Sequence, residues 1–276
     1  YLNARRIIGI ARKAGAEAIH PGYGFLSENP DFAGACESAG IRFIGPRSRT
    51  LKKTGNKVEC RRTLKKAGFP VLAASDKIID DIDGAEPVAE EIGYPVLLKS
   101  AFGGGGRGIR EARDRRELRE NFRSARNEAE RSFGKPGLYV EKLVRPARHI
   151  EFQVISDGRG KTIHLGEREC SIQRRHQKLL ELTPSPALDE VSRKRVGELA
   201  VRVAKSLDYE NVGTVEFLRD EEGNFYFIEV NARLQVEHPI TESVTGLDLV
   251  QQQLLIASGE GMPLSQKRVV RSGASM

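Results

Sequence analysis

Polar and apolar residues alternate most regularly in FIEVNARLQVEHP, residues 227–239. Glu229, Asn231, Arg233, Gln235 and Glu237 occupy the odd positions, and Ile228, Val230, Ala232, Leu234 and Val236 the even ones. A period of two predicts an extended chain that gathers the five polar groups on one face. Similar antiparallel-strand patterns occur in HIEFQVISD (149–157), KTIHLGERECSIQ (161–173), GTVEFLRD (213–220) and NFYFIEVNA (224–232), with a helix over roughly 190–207. The start of the chain reads differently. A helical pattern through Ala11, a strand at Glu17–Ile19, a helix at Phe32–Ser38 and a strand at Ile41–Ile44 follow one another, the order of a parallel α/β layer. A basic helical stretch, Arg49–Ala67, leads into a small unit over 71–144. That unit has a helix near 84–92, the strand YPVLLKSA, a glycine loop, a helix at 114–131 and the strand LYVEKLV.

The last two strands of the chain predict a hairpin. With Glu222-Gly223 as its loop, Glu216 lies opposite Glu229; with Gly223-Asn224, it lies opposite Asn231. A three-residue loop would break both registers. Phe217, Phe225 and Phe227 are expected on the same face as these charges. Facing carboxylates repel unless a cation neutralises them. Glu216, Glu229 and the Asn231 amide oxygen are hard donors suited to Mg²⁺ or Mn²⁺. Arg233 offers a rigid fork for a carboxylate or bicarbonate, and Glu237 a candidate general base.

Between the strand Pro95–Leu98 and residue 109 runs KSAFGGGGRG. Consecutive glycines let backbone N–H groups approach an anion, and Lys99 adds a point charge for a phosphate. The match to G-x-G-x-x-G is nearly automatic in such a run, and without G-K-[ST] the loop is no P-loop. ERECSIQRRHQK brings Gln173, His176 and Lys178 together among arginines, a cluster suited to an anion or a ribose.

Composition narrows the reading. The 276 residues are 39% hydrophobic and 30% charged, with 3 cysteines and a net charge of +7, which indicates one or two globular domains with reduced thiols in a cytoplasm-like compartment. No apolar run is long enough to cross a membrane. The arginines of RDRRELRENFRSARNEAERS alternate with glutamates at helical spacing, as on a solvated face, and no nucleic-acid motif surrounds the basic clusters.

Seven stretches in order resemble the biotin carboxylase family of ATP-grasp enzymes: HPGYGFLSENPDFA, FIGP, GNKV, PVLLKSAFGGGGRGI, EKLVRPARHIEFQV, ERECSIQRRHQK and EFLRDEEGNFYFIEVNARLQVEHPITE. The resemblance implies an α/β (α+β) protein with the ATP-grasp fold. Its parts would be a partial N-terminal pre-ATP-grasp layer (1–48), a helical linker (49–71), a lid (72–144) and an antiparallel C-terminal unit (145–276). It implies that Lys57, Lys99, Gly105 and Gly106 hold ATP phosphates. Glu141, Lys142, Leu143 and Val144 would line the adenine site, with His149, Gln173 and His176 beside the nucleotide. Glu216, Glu229 and Asn231 would bind Mg²⁺ or Mn²⁺, Glu216 also serving the nucleotide site. Lys178, Arg233, Gln235 and Val236 would position bicarbonate, with Glu237 as base and Lys178 and Arg233 also catalytic.

The implied reaction is ATP-dependent carboxylation of biotin on a carrier protein. The implied partners are that carrier, a carboxyltransferase and a second copy of the chain, in the cytoplasm or the mitochondrial matrix. Two departures stand out. Leu182 replaces a second glutamate usual in the family, and the chain closes at VVRSGASM, where the family continues through R-G-H-A and E-x-R-I. Truncation at both ends is therefore expected. Another ATP-grasp ligase, such as a carbamoyl-phosphate synthase half, is one alternative; a nonenzymatic anion- or nucleic-acid-binding module is another.

Overall fold

The computed structural model describes residues 1–103, 108–175 and 177–276, the side chain of Phe133 aside. The opening elements are α1 (Ala4–Lys13), β1 (Ala18–Ile19), α2 (Pro30–Ser38) and β2 (Arg42–Phe43). β1 and β2 pair in parallel, as the alternation predicts. Asn3 and Asn29 start the two helices by accepting the N–H groups of Arg6 and Phe32. The basic stretch is two helices, α3 (Ser48–Thr54) and α4 (Lys57–Lys66), not one. Asn56 is extended and caps α4 through the N–H of Glu59, so the helix restarts there with Lys57 in its first turn.

Next come α5 (Ile82–Ile92), β3 (Val96–Ser100), β4 (Arg110–Ala112), α6 (Arg115–Phe133) and β5 (Leu138–Lys142). The three strands form an antiparallel sheet in the order β4-β3-β5. Val96, Leu98, Leu138 and Val140 point into a core shared with Leu118, Phe122 and Ala125 of α6. The alternate residues, Leu97, Lys99, Tyr139 and Glu141, face the other way.

The remaining elements are β6 (Arg148–Asp157), β7 (Thr162–Arg174), β8 (Gln177–Leu182), α7 (Glu190–Ser206), β9 (Glu210–Arg219), β10 (Phe225–Asn231), α8 (His238–Thr245) and α9 (Leu249–Ser258). Their five-stranded antiparallel sheet has the order β10-β9-β6-β7-β8. One face is apolar: Ile150, Phe152, Val154, Val215 and Phe217 join Val196, Ala200 and Val203 of α7. The opposite face of the same strands carries Glu151, Gln153, Arg168, Thr214 and Glu216, all buried.

The β9–β10 hairpin corrects the expected turn. Asp220 and Asn224 flank a three-residue loop, with Gly223 at φ +85°. Near the loop Phe217 stands opposite Phe227; a bulge at Ile228 then shifts the register by one, and Glu229 ends opposite Glu216. The longer loop and the bulge cancel, so the two glutamates still face each other. Alternation sets Phe217 on the face opposite Glu216, and the bulge sets Phe225 and Phe227 apart from Glu229; all three phenylalanines lie in the core.

The alternation beyond Asn231 is not a strand. β10 stops at Asn231; Gln235 is buried at 3% exposure, whereas Val236 is 66% exposed. Residues 232–237 form an irregular segment that runs into α8, with Glu237 at the N-cap in a helical conformation.

Gly197 of α7 lies against His164 of β7, and a Cβ there would enter the imidazole ring. Burial and the nearby Arg271 push the His164 pKa down to about 4, so the ring is neutral. Alanine normally favours a helix interior by about 1 kcal/mol over glycine. Gly197→Ala is nevertheless expected to destabilise the protein by about 1–3 kcal/mol through overpacking, read as a lower urea midpoint. An unchanged or raised midpoint would show that the ring yields freely.

Candidate active site

A cavity of about 290 Å³ separates the outward face of the three-stranded sheet from the polar face of the five-stranded one. β3 and β5 contribute Lys99, Tyr139 and Glu141, and the chain then continues along the cavity as Lys142, Leu143 and Val144. The facing wall carries His149, Gln173, Glu216 and Glu229, with Lys57 reaching in from α4. Sequence reading did not single out Leu218 and Ile228, which add apolar surface. Ile228 is the bulged residue, a signal invisible without the register. A second cavity, about 440 Å³, borders β2, but it holds none of the expected residues and its Arg47 and Glu210 pair with each other at 2.7 Å.

Glu216 is the hub of the polar wall. Its carboxylate accepts hydrogen bonds from His149 Nε2 at 2.6 Å, Asn231 Nδ2 at 2.6 Å and Lys178 Nζ at 3.1 Å. Burial alone would raise its pKa; the charges of Lys178 and His149 overcome that and hold it well below the ordinary carboxyl range. Burial likewise opposes protonation of His149, but Glu216 outweighs it and raises the pKa. The Gln173 amide meets His149 Nδ1 at 2.8 Å and fixes the ring.

Lys178 touches three carboxylates, those of Glu151, Glu216 and Glu237, the last two at 3.1 Å. Against the cost of burial, these neighbours raise its pKa and keep it cationic. Lys57 forms an ion pair with Glu229, and Lys99 with Glu141. The repulsion expected between Glu216 and Glu229 is thus met by lysine and histidine charges on separate sides. The two carboxylates and the neighbouring Asn231 amide are hard oxygen donors on one wall, and they fit Mg²⁺ or Mn²⁺.

Other expected residues fall as follows. The N–H groups of Lys142 and Leu143 already serve the carbonyls of Ala73 and Pro95, and Lys142 Nζ reaches Gly93 O at 2.8 Å. Arg233 donates from Nε to Glu28 at 3.2 Å and from Nη1 to Leu234 O at 3.2 Å, and remains partly accessible. Val236 presents its side chain to solvent, so only its backbone is placed to contact an anion. The buried Gln235 side chain accepts a hydrogen bond from Arg168 at 2.8 Å through Oε1. Gly105, Gly106 and His176 lie outside the described residues.

Arg168 is the principal residue that sequence reading missed. Fully buried, it donates to Glu151 at 2.5 Å, Gln153 at 2.7 Å, Gln235 at 2.8 Å, Thr241 at 3.0 Å and Thr214 at 3.2 Å. Its cross-strand partner is Glu151. An opposite-charge pair across two otherwise buried strands was the available signal. Glu28 was missed as well; it accepts the Ala232 N–H at 2.8 Å besides the Arg233 guanidinium.

Known proteins carry the same architecture. Residues 56–266 match the carbamoyl-phosphate synthase L chain ATP-binding domain, and residues 1–51 the biotin carboxylase N-terminal domain. The chain is 51% identical over its whole length to the small subunit of 2-oxoglutarate carboxylase from Hydrogenobacter thermophilus, and covers 58% of that protein. It is 50% identical to biotin carboxylase 1 of Bacillus subtilis, across 99% of this chain and 61% of the relative. The chain therefore spans about six-tenths of the length of these relatives.

Among solved structures, the biotin carboxylase domain dimer of the Hydrogenobacter enzyme, in complex with MgADP, ADP and bicarbonate, superposes with a TM-score of 0.97 at 51% identity. The match covers 99% of this chain and 60% of that one. A biotin carboxylase–β,γ-ATP complex from Campylobacter jejuni gives 0.96 at 46% identity, across 99% and 61%. Two contiguous domain matches, relatives at half identity and near-complete superposition together place this chain in the biotin carboxylase family of ATP-grasp ligases.

Proposed function

We propose that this chain carries out the ATP-dependent carboxylation of biotin on a carrier protein, with bicarbonate as carbon source. The observation that carries the reading is the convergence of Lys178 and Glu237, 3.1 Å apart, next to Glu216 at the wall of the cavity. A cation and a carboxylate so placed suit an anion that must be both bound and deprotonated. The relatives support it: one is a biotin carboxylase by name, and the Hydrogenobacter domain holds MgADP and bicarbonate.

In this reading residues 72–144 close as a lid over ATP held against the 145–276 unit, the N-terminal layer and linker being 1–48 and 49–71. Lys57, Lys99 and the glycine loop with Gly105 and Gly106 neutralise phosphate charge, and 141–144 receive the base. His149, Gln173 and His176 flank the nucleotide. Glu216, Glu229 and Asn231 would hold Mg²⁺ or Mn²⁺, which offsets charge on the phosphates when bound.

Lys178, Arg233 and the Val236 backbone orient bicarbonate, and Glu237 takes its proton. The freed oxygen attacks the γ-phosphorus as the bond to ADP breaks. Carboxyphosphate splits into CO₂ and phosphate; phosphate takes the N1 proton of biotin, and N1 captures CO₂. The chain's own work is positioning, charge stabilisation and exclusion of water.

The partners in this proposal are the biotin carrier, a carboxyltransferase and a second copy of the chain. No helix among the described residues is long and apolar enough to cross a membrane. A cytoplasmic or mitochondrial-matrix setting accords with three buried free cysteines.

In the complete enzyme, ATP turnover should require both bicarbonate and biotin; turnover indifferent to biotin would favour another ATP-grasp ligase. Glu229→Gln should raise the Mg²⁺ concentration for half-maximal turnover by about tenfold or more, and an unaltered Mg²⁺ dependence would remove Glu229 from the ligand set. Arg233→Ala should lower kcat/KM for bicarbonate by roughly 10- to 100-fold, the worth of a charge-assisted contact, while ATP binding is largely kept. Equal loss of both would point to misfolding.

A further inference from the structure

We propose that Glu181 holds a proton at neutral pH, and that this proton lets the charge cluster around Lys178 accept an anion. The second half rests on the bicarbonate site proposed above; the first does not.

Glu181 lies on β8, three residues after Lys178, with its side chain 11% exposed. Its Oε2 is buried and has no hydrogen-bond partner among the described residues. Among the described residues the closest cation, Arg168 Nε, is 3.7 Å away and already donates to Glu151 at 2.5 Å. Carboxylate oxygens of Glu181 and Glu151 and the Cys170 sulfur lie within 4.8 Å of one another. Two buried carboxylates at that separation, with the shared guanidinium committed to one, do not both ionise readily.

The groups that bear on Glu181 come from every neighbouring element. β6 supplies Glu151, β7 supplies Arg168 and Cys170, β8 supplies Lys178, and the segment before α8 supplies Glu237. The Cys170 thiol is pushed far up by burial and is neutral. Burial, then Glu151 and Glu237, raise the Glu181 pKa to about 8.

Charge balance explains what the proton does. Glu151, Glu216 and Glu237 already surround Lys178; Arg168 is the other permanent cation in contact with them, and His149, whose pKa is raised by Glu216, lies beside Glu216. An ionised Glu181 would add a fourth negative charge beside the place where bicarbonate must bring its own. A protonated Glu181 spares the cluster that fourth charge and leaves it better able to take the anion. Anion affinity is then linked to the Glu181 proton, and falls as pH rises through about 8.

The sign of the stability effect follows. Between the ordinary carboxyl value of 4.5 and about 8, the folded chain keeps a proton that the unfolded chain has lost. Stability therefore falls with rising pH across this window, and Glu181→Gln, which imitates the protonated form, removes that contribution.

The test compares wild type and Glu181→Gln in the full-length protein by two measurements. The Tm difference in favour of the variant should grow from pH 5 to pH 8 and then level off. A constant difference would overturn the protonation. The bicarbonate Kd, by titration calorimetry, should weaken in wild type about tenfold per pH unit above 8 and stay flat in the variant. Parallel pH profiles would overturn the link to the anion. Absence of bicarbonate binding in both proteins, with a growing Tm difference, would instead refute the bicarbonate site and the linkage with it, while leaving the proton in place.

Discussion

The site depends on one buried cation. Arg168 has no exposure, and a guanidinium taken out of water without partners would cost several kcal/mol. It is tolerated because β6 supplies Glu151 and Gln153, β9 supplies Thr214, α8 supplies Thr241 and the segment before α8 supplies Gln235. Each of these contacts is also a constraint in the other direction. Glu151, held by Arg168, in turn holds Lys178. Gln235 and Thr241 anchor both ends of the bend that carries Val236 and Glu237. An irregular stretch of backbone is thereby fixed as firmly as the sheet beneath it, which is what a general base on a loop requires.

The sheet that makes this possible is buried on both faces but with opposite chemistry. Along β6, Ile150, Phe152 and Val154 pack against α7, while His149, Glu151 and Gln153 point to the site. Packing on one side sets the register, and register sets which polar groups meet on the other. The polar side is satisfied by its own ion pairs, so Lys57 and Lys99 are engaged with Glu229 and Glu141. In the proposed reaction Lys57 need not leave Glu229, because an ammonium has three donors and can hold a carboxylate and a phosphate together.

Much of this was legible in the chain, for reasons that differ by residue. Strands and helices followed from periodicity, and the basic stretch divided only because Asn56 caps a new helix. One of the two expected registers set Glu216 opposite Glu229, as found, but through a turn of the wrong length. A three-residue loop and a bulge each shift the register by one, and local sequence does not disclose a pair of errors that cancel. The polar run beyond Asn231 kept its period without its strand, since residues 232–237 are shaped by Arg168 and α8 rather than by neighbours in sequence. Arg168 and Glu28 escaped notice because their meaning lies in partners far along the chain; Glu28 is 205 residues from Arg233.

That last distance bears on why the N-terminal layer adjoins the site at all. Glu28, in the loop before α2, accepts hydrogen bonds from the backbone of Ala232 and the guanidinium of Arg233. With side-chain exposures of 40% for Glu28 and 22% for Arg233, such a pair contributes little stability, about 1 kcal/mol or less. Its value is orientation. The backbone contact fixes where the 232–237 segment leaves β10, and the Nε contact sets the plane of the guanidinium while leaving Nη2 without a protein acceptor among the described residues. A weak, partly hydrated tether is the appropriate kind here. Had Arg233 been buried like Arg168, an anion would have to displace a strong partner; had it been untethered, binding would bear the full entropy of ordering a long side chain.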